Sequence, residues 1–410
     1  MRIAHLISEY LPGLGGAEVH VHNITLGLIK KKDYVVVITT TKDNGSRDYG
    51  YPVIRIAEWY KRSLSRFALI GKYLLWYKLS RLQEKFRFDI WQVTVGYPLG
   101  VYAVAFLKSR NIPCVLRCCG DDIQTNEEIS YGCRRSSFVD KLVRENYPKY
   151  DGLVALTESI RGEYLKLEIP NEKIHIIPNG VNLERFKGKG ERNIIRNKHS
   201  LKNKVVLLTV GRNHPKKGHH LIPSILQQIY KSRNDVVWIV IGRECSKIPC
   251  HNLSRELRKN LILLDEIDNK QYDSFQEFPP SELIDYYKGA DLFVFLSYME
   301  SFGMVLVEAN AAGLPVVASN SPGCRDVVKN GINGLLVETG NSRVFAEKIL
   351  DLLSNKNLYN QICKKILKDV KEYDWDVIVG KYRKLYKSVI QRKIEEGNGK
   401  SRTVSISVRE

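Results

Sequence analysis

The sequence lacks several features that would assign a function class directly. It holds no run of about 18 uninterrupted apolar residues, so a membrane-spanning helix is excluded on length. The first residues do not form a signal peptide, because a glycine-rich segment follows after one short apolar run, and we expect the protein to stay in the cytoplasm. There is no complete P-loop and no Gly-x-Gly-x-x-Gly dinucleotide fingerprint.

Cysteine pairs and nucleic-acid modules are missing as well. The eight cysteines include no Cys-x-x-Cys pair and several lie in apolar runs, so reduced and mostly buried thiols are expected. The 64 Lys and Arg residues exceed the 45 Asp and Glu residues, and the resulting formal charge of +19 attracts anionic partners. Because no recognisable nucleic-acid module accompanies this charge, we do not expect nucleic acid as a partner.

What is present is a repeated alternation of strand-like and helix-like segments. Short β-branched runs alternate with amphipathic stretches from residue 2 to 179 and again from residue 205. This alternation is typical of parallel sheets covered by helices on both faces, and 410 residues are more than one core supports. We predict an α/β protein of two doubly wound, Rossmann-like domains, with a ligand cleft between them at the carboxyl ends of the strands.

The domain boundaries are predicted from composition. A polar, charged stretch at 187–204 is the candidate linker. The predicted parts are an N-terminal domain (1–185), a C-terminal domain (186–360), C-terminal helices that pack back toward the N-terminal domain (361–392) and a polar, frayed tail (393–410).

The segment with the strongest chemical signal is Glu300-Ser-Phe-Gly-Met-Val-Leu-Val-Glu308. A strand is predicted to end near Ser297 and a helix to begin near Gly303, so backbone N–H groups at 301–304 favour a phosphate or sugar oxygen. Glu308 follows one to two turns later and would reach hydroxyls of the same ligand. The alternative is that Glu300 only caps the helix and Glu308 lies on a solvated face.

This segment, together with the Ala-Asn-Ala-Ala-Gly-Leu-Pro-Val-Val-Ala that follows it, resembles the Glu-x7-Glu signature of retaining, GT-B-fold nucleotide-sugar glycosyltransferases of group 1, or family 4. Further pieces occur in the family's order: Gly13-Leu-Gly-Gly-Ala-Glu18, Ile176-Ile-Pro-Asn-Gly-Val181, Val210-Gly-Arg-Asn-His-Pro-Lys-Lys-Gly218, Ala290-Asp-Leu-Phe-Val294 and Asn330-Gly-Ile-Asn-Gly-Leu-Leu-Val337. The resemblance covers residues 3 to roughly 390.

The resemblance implies roles for individual residues. Arg212 and Lys217 would grip the donor diphosphate, and fixed cations there would stabilise the charge that develops on the leaving group. Glu308 would hold the ribose hydroxyls, and Glu300 would contact the donor sugar. The remaining donor-side positions are Gly15, Gly16, Ser301, Phe302 and Gly303, of which the backbone at Phe302 and Gly303 would line the sugar pocket.

One departure from the family lies at Cys118-Cys-Gly-Asp-Asp-Ile123, where similar enzymes show His-Gly-x-Asp. Cys119 stands where the histidine is expected, and a cysteine cannot supply the same hydrogen-bonding cation. Asp121 and Asp122 are candidates to contact acceptor or donor hydroxyls, with Asp122 taken as the catalytic candidate; a helix cap is the equal alternative. Cys119 as a nucleophile is a weaker third option.

Two metal-like patterns are set aside. Asp374-Trp-Asp376 has the Asp-x-Asp spacing of metal-dependent transferases but lies beyond both predicted sheets. The pairs His20-Val-His22 and His219-His220 lack zinc-ligand spacing. We therefore expect no metal and no cofactor, with the nucleotide-sugar as co-substrate.

Residues 59–88 carry eight basic residues and one acid. Apolar residues fall at helical spacing among them: Leu64, Phe67, Ile70, Leu74 and Tyr77, with Trp59 and Trp76 alongside. Such a helix suits an anionic bilayer, and then the acceptor would be lipid-linked. An ordinary helix that packs its apolar stripe on the first sheet is the even alternative.

The predicted function is a metal-independent, retaining hexosyl- or glycosyltransferase that uses a nucleoside-diphosphate sugar such as a UDP- or GDP-sugar. Its product is expected in surface polysaccharide, lipopolysaccharide or lipid-linked glycan synthesis, with the acceptor on the N-terminal domain and the donor on the C-terminal one. The protein is expected in the cytoplasm or peripherally on the inner face of the membrane. The alternatives are a nucleotide-sugar epimerase on the same fold and a non-catalytic sugar-nucleotide binder.

Overall fold

The chain divides into two compact units. The computed structural model describes residues 1–13, 15–42, 48–57, 68–187, 192–267 and 278–406. Residues 1–178 and 375–410 form the first unit, and residues 179–374 form the second.

The first unit is built on a parallel sheet whose described strands run in the order β3-β2-β1-β4-β5-β6-β7. These strands are β1 (Arg2–Ile7), β2 (Tyr34–Thr39), β3 (Val53–Arg55), β4 (Ile90–Thr94), β5 (Cys114–Arg117), β6 (Gly152–Ala155) and β7 (Ile174–Ile176). The helices are α1 (Gly16–Lys30), α2 (Ala68–Phe86), α3 (Val101–Ser109), α4 (Ser137–Asn146), α5 (Glu158–Leu165) and, from the end of the chain, α14 (Trp375–Ile406).

The second unit has a parallel sheet with described strands in the order β10-β9-β8-β11-β12-β13. They are β8 (Val205–Val210), β9 (Val236–Ile241), β10 (Leu261–Leu264), β11 (Leu292–Phe295), β12 (Val316–Ser319) and β13 (Gly334–Val337). The helices are α6 (Arg192–Lys198), α7 (Ile222–Tyr230), α8 (Arg255–Arg258), α9 (Ser281–Gly289), α10 (Met304–Ala311), α11 (Cys324–Val327), α12 (Ser342–Ser354) and α13 (Lys356–Asp369). The prediction of two Rossmann-like α/β domains is confirmed.

Each unit has its own apolar core. In the first unit the last helix contributes directly, because Ile378, Val379 and Tyr382 on α14 are buried together with Ile3 and Ile24. The second core fills the space between its sheet and the covering helices, with Trp238 on β9 fully buried. The predicted strands owe their near-continuous apolar sequence to this burial on both faces.

The predicted linker, residues 187–204, contains helix α6. Residues 188–191 lie outside the described residues, but α6 packs on the second unit. Arg196 on this helix is buried because its guanidinium donates to Asp291 at 2.6 Å and to the Gly289 carbonyl at 3.0 Å. In the described part of this segment, the polar composition therefore includes an ion pair that anchors α6 to the second unit.

The boundaries of the two units also differ from the predicted domain boundaries. The first unit ends at Pro178, and 361–374 belong to the second unit, so the return to the first unit begins only at Trp375. The expected polar tail begins inside α14, where Lys393 lies 3.1 Å from Asp151. Residues 407–410 lie outside the described residues.

Helix α2 is apolar on two faces. Leu75, Leu79 and Leu82 are buried. A second stripe at the i, i+3, i+4, i+7 spacing faces solvent: Ile70 is 62% exposed, Tyr73 61%, Leu74 37% and Tyr77 67%. The alternative in which Ile70, Leu74 and Tyr77 pack on the sheet is therefore wrong, and the part of the basic segment before Ala68 lies outside the described residues.

The strand orders define one reversal point in each unit. In the second unit the order reverses between β8 and β11, and in the first between β1 and β4. In open parallel sheets, ligands bind beside the carboxyl ends of the strands at such a reversal. Ligand-binding residues are therefore expected in the loops after these four strands.

Candidate active site

The loop after β8 in the second unit is held against the end of β11. It closes with a 3-10 turn at Pro215–Lys217, followed by Gly218 in a left-handed conformation (φ 67°). A Cβ on Gly218 would lie 2.3 Å from the Leu296 carbonyl oxygen, so only glycine permits this approach. The Lys216 carbonyl accepts the Tyr298 N–H at 2.7 Å. These contacts bring Lys217 to the residues that follow β11.

Lys217 and Glu300 form an ion pair at this point. The Lys217 ammonium lies 2.6 Å from Glu300 Oε1, and the Ser297 hydroxyl donates to the same oxygen at 2.7 Å. Both charged side chains are largely withdrawn from water, with 14% and 8% of their surface exposed. The loops after two neighbouring strands thus place the predicted cation and the predicted acid in direct contact.

The charge state of Glu300 is set by this environment. Burial acts to raise the pKa of Glu300, but the charges of Lys217 and Lys216 and the hydrogen bonds from Lys217 and Ser297 outweigh burial and lower it to about 2. Glu300 is therefore ionised at neutral pH.

The backbone around Glu300 leads directly into α10. The Glu300 N–H donates to the Pro322 carbonyl at 2.9 Å, and Gly323 (φ 80°) lies so close that a Cβ there would be 2.2 Å from the Glu300 carbonyl oxygen. The helix begins at Met304 after Gly303, which has no side chain to cap it. The Phe302 side chain is buried against Tyr373, with ring centroids 5.9 Å apart.

Glu308 lies on α10 and is also buried, at 9% exposure. Its Oε2 accepts a hydrogen bond of 2.8 Å from the hydroxyl of Tyr287 on α9. Burial raises the pKa of Glu308 to about 7, although the hydrogen bond from Tyr287 acts in the opposite direction. The alternative of a solvated polar-face residue is wrong.

Arg212 is exposed on the loop after β8. Burial and then the charges of Arg212, Lys216 and Lys217 lower the pKa of the nearby His214. The charge of Glu300 acts in the opposite direction on the same imidazole.

In the first unit, Gly15 and Gly16 lie at the start of α1. Gly15 precedes the helix in an extended conformation and Gly16 is its first residue, while Leu14 lies outside the described residues. The predicted glycines therefore stand at a helix N-terminus after β1, next to the reversal point of the sheet.

Asp122 is held by backbone rather than presented to a ligand. Its Oδ1 accepts the N–H of Cys119 at 2.8 Å and of Gly120 at 3.2 Å, and its Oδ2 accepts the N–H of Gly96 at 2.7 Å. The side chain is almost fully buried, at 2%. The side chain holds three backbone N–H groups and is the N-cap of none of the described helices, whereas Asp121 is exposed.

Cys119 accepts a hydrogen bond from the buried guanidinium of Arg117. The Arg117 guanidinium donates to Cys119 Sγ at 2.8 Å, and Arg117 itself is fully buried. Burial raises the pKa of the Cys119 thiol to about 12 even though Arg117 acts to lower it. A thiolate nucleophile at neutral pH is therefore not supported.

Among the described residues, no group of three His, Cys, Asp or Glu side chains is arranged to hold a metal ion. His20 and His22 are buried on α1, and Asp374 directly precedes α14.

Two residues that contact the acids of the motif, Ser297 and Tyr287, were not predicted. Ser297 lies three positions before Glu300 at a strand end and could have been noticed, but Tyr287 gives no local signal for its contact with Glu308.

Two family models match the chain and together span most of it. The model described as "Glycosyl transferases group 1" matches residues 191–369, and "Glycosyltransferase Family 4" matches residues 14–185. The matches fall on the second and first unit respectively.

Individual proteins are also similar to this chain over most of its length. An uncharacterized glycosyltransferase of Methanocaldococcus jannaschii is 25% identical over 93% of this chain and 97% of its own. The alpha-monoglucosyldiacylglycerol synthase of Streptococcus pneumoniae is 25% identical over 82% of this chain and 75% of its own. HepE of Anabaena, solved with UDP, is similar with a TM-score of 0.75 at 18% identity over 95% of this chain and 100% of that chain, and has also been solved with UDP-glucose.

Proposed function

Because the chain belongs to the group 1 and family 4 glycosyltransferases, we propose that it transfers a sugar from a nucleoside-diphosphate sugar to an acceptor hydroxyl, with retention of anomeric configuration. The observation that carries the proposal is the buried Lys217–Glu300 pair at the reversal point of the second sheet. The Lys217 ammonium and the Glu300 carboxylate lie 2.6 Å apart, so a cation and a hydrogen-bond acceptor stand side by side.

The donor is assigned to the second unit. Lys217 and Arg212 bind the diphosphate, Glu300 accepts hydroxyls of the sugar, and Glu308 accepts hydroxyls of the ribose. The backbone from Ser301 to Gly303 completes the sugar pocket. A UDP-sugar is the first candidate, because HepE has been solved with UDP and with UDP-glucose.

The chemistry follows from where charge develops. As the glycosidic bond breaks, the leaving diphosphate gains negative charge, and cations already in place stabilise that state more than the ground state. The acceptor hydroxyl attacks from the face that the leaving group vacates and passes its proton to a phosphate oxygen. No protein base and no metal ion is required in this scheme. The acceptor is assigned to the first unit, where Asp122 holds the backbone at Gly96, Cys119 and Gly120.

A screen of donors tests the proposal. Thermal unfolding with UDP-, GDP- and ADP-sugars is expected to single out one base, since a ligand at 100 times its Kd adds about 2.7 kcal/mol of stability. Transfer to an extract-derived acceptor should then give product of unchanged anomeric configuration. Inverted product would contradict retention, donor consumption without acceptor would favour the epimerase, and tight binding without turnover would favour the non-catalytic binder.

We further propose that the acceptor is lipid-linked, as part of a surface polysaccharide, lipopolysaccharide or other lipid-linked glycan, and that the protein docks on the inner face of the membrane. No helix among the described residues is long and apolar enough to cross a bilayer. The exposed stripe of α2, with Lys72, Lys78, Arg81 and Lys85 beside it, suits an anionic lipid surface instead. The relative from S. pneumoniae is likewise named for a diacylglycerol product.

Replacing Tyr73 and Tyr77 together with serine is expected to lower binding to anionic vesicles about tenfold or more, because two exposed aromatic rings lose their place at the interface. Co-sedimentation with vesicles of phosphatidylcholine and phosphatidylglycerol measures this. The control is Phe138→Ser, which removes a ring that is 60% exposed on α4 of the same unit and should change nothing. A wild-type protein that stays in the supernatant with and without anionic lipid would refute the docking.

A further inference from the structure

Tyr287 is a fully buried tyrosine whose hydroxyl has a defined task. It lies near the end of α9, and its ring packs against Phe293 and Phe186 with centroids 5.7 and 6.4 Å apart. The hydroxyl donates to Glu308 Oε2 on α10 at 2.8 Å. The packed ring leaves the phenol little freedom, so the position of its oxygen is set by the core.

This contact acts on Glu308, for which the described residues give no cationic partner. Burial raises the pKa of Glu308, and the Tyr287 hydrogen bond lowers it. Glu300, in contrast, has Lys217 and Ser297 on its Oε1. A buried carboxylate accepts hydrogen bonds with both oxygens, so with Oε2 oriented by Tyr287 the other oxygen is directed as well.

We propose that Tyr287 is a positioning residue that sets the Glu308 carboxylate to accept the ribose hydroxyls of the donor; the assignment rests on the proposed function of Glu308. Tyr287 does not touch the ligand. Its hydroxyl fixes the rotation of the carboxylate and stabilises its ionised form, which is the form that accepts two hydroxyl hydrogen bonds. The binding energy that depends on the ribose hydroxyls therefore depends on Tyr287.

The chain offers a matched control in the next residue. Tyr286 is also buried on α9, and its hydroxyl pairs at 3.0 Å with His199 instead. Tyr287→Phe and Tyr286→Phe thus remove the same atom from neighbouring positions. The ligand is varied in parallel, with UDP, GDP and ADP and their 2′,3′-dideoxy forms as probes in calorimetric titration at pH 7.5.

For the nucleoside diphosphate that the wild type binds, Tyr287→Phe is expected to raise Kd about tenfold, the effect of one hydrogen bond to a charged group. For the dideoxy form, Kd should change less than twofold, because the hydroxyls that need Glu308 are absent. Tyr286→Phe should leave both values at wild type. Equal weakening toward both ligands, or no weakening toward either, overturns the assignment.

Two further comparisons separate the possible failures. If Tyr287→Phe does not fold, Glu308→Ala is compared with the double variant Glu308→Ala/Tyr287→Phe, in which the carboxylate that Tyr287 orients is gone; any additional loss of affinity overturns the assignment. A wild type that binds none of the three diphosphates overturns the proposed function and the assignment together. A wild type that binds one of them while Tyr287→Phe matches its affinity overturns only the assignment.

Discussion

Lys217→Met is expected to lower kcat/KM by at least about a hundredfold, the loss seen when one preorganised donor to a developing charge is removed. The ammonium lies 2.6 Å from Glu300 in a largely buried site, so no solvent cation can replace it there. The loss should fall mainly on kcat, because the diphosphate bears most of its new charge only in the transition state. Steady-state kinetics with the donor found in the screen provide the measurement.

The same substitution is expected to destabilise the protein by about 3 kcal/mol or more, since the buried Glu300 loses its ion-pair partner. The double variant Lys217→Met/Glu300→Gln removes both charges and should recover most of the stability while remaining inactive. Lys247→Met is the control: it breaks an exposed lysine–glutamate contact of 2.5 Å in the same unit and should change neither property. Activity that returned with stability in the double variant would show that Lys217 acts only through the fold.

The parts of this structure that periodicity could predict are those dictated by burial. Strand runs such as Val236–Ile241 are apolar on both faces, so their place in a covered parallel sheet follows from composition alone. The approach of Lys217 to Glu300 also followed in outline, because loops after neighbouring parallel strands share an edge. What the sequence did not contain was the pairing itself, which depends on Gly218 fitting against Leu296.

Other features depend on contacts between distant segments. By its sequence Asp122 could be a ligand contact or a helix cap, and the structure adds a third role, because Asp122 accepts the N–H of Gly96, which follows β4 and lies 26 residues earlier. Helix α2 has two apolar stripes, and the sequence analysis named only the one with Ile70, Leu74 and Tyr77; the buried stripe of Leu75, Leu79 and Leu82 was missed. The polar composition of 187–204 predicted a linker, but the charge of Arg196 is paired with Asp291, which lies 95 residues away in the sequence.

Glu308→Gln is expected to stabilise the protein without ligand, by up to about 3 kcal/mol at pH 8 and by almost nothing at pH 4.5. The carboxyl group has a pKa raised from its ordinary 4.5 to about 7, so below pH 4.5 it is protonated in the folded and the unfolded chain and costs nothing. As the pH rises from about 4.5 to about 7, the unfolded chain ionises while the folded chain stays protonated, so stability is lost; above pH 7 the folded carboxyl ionises as well, and the cost levels off at about 3 kcal/mol. A glutamine avoids this cost and still accepts the Tyr287 hydroxyl through its amide oxygen.

Urea unfolding at pH 4.5, 6, 7 and 8 would trace this difference. The control is Glu256→Gln, which alters a second glutamate that accepts a tyrosine hydroxyl, from Tyr230 at 2.7 Å, but on the surface of the same unit. It should show no pH-dependent gain. The stabilised Glu308→Gln protein should at the same time lose most of the thermal shift produced by the donor, because an amide presents a poorer acceptor to the ribose hydroxyls than a carboxylate does. A variant that gained stability yet kept the full donor shift would separate Glu308 from donor binding, and its burial would then be a cost without a function.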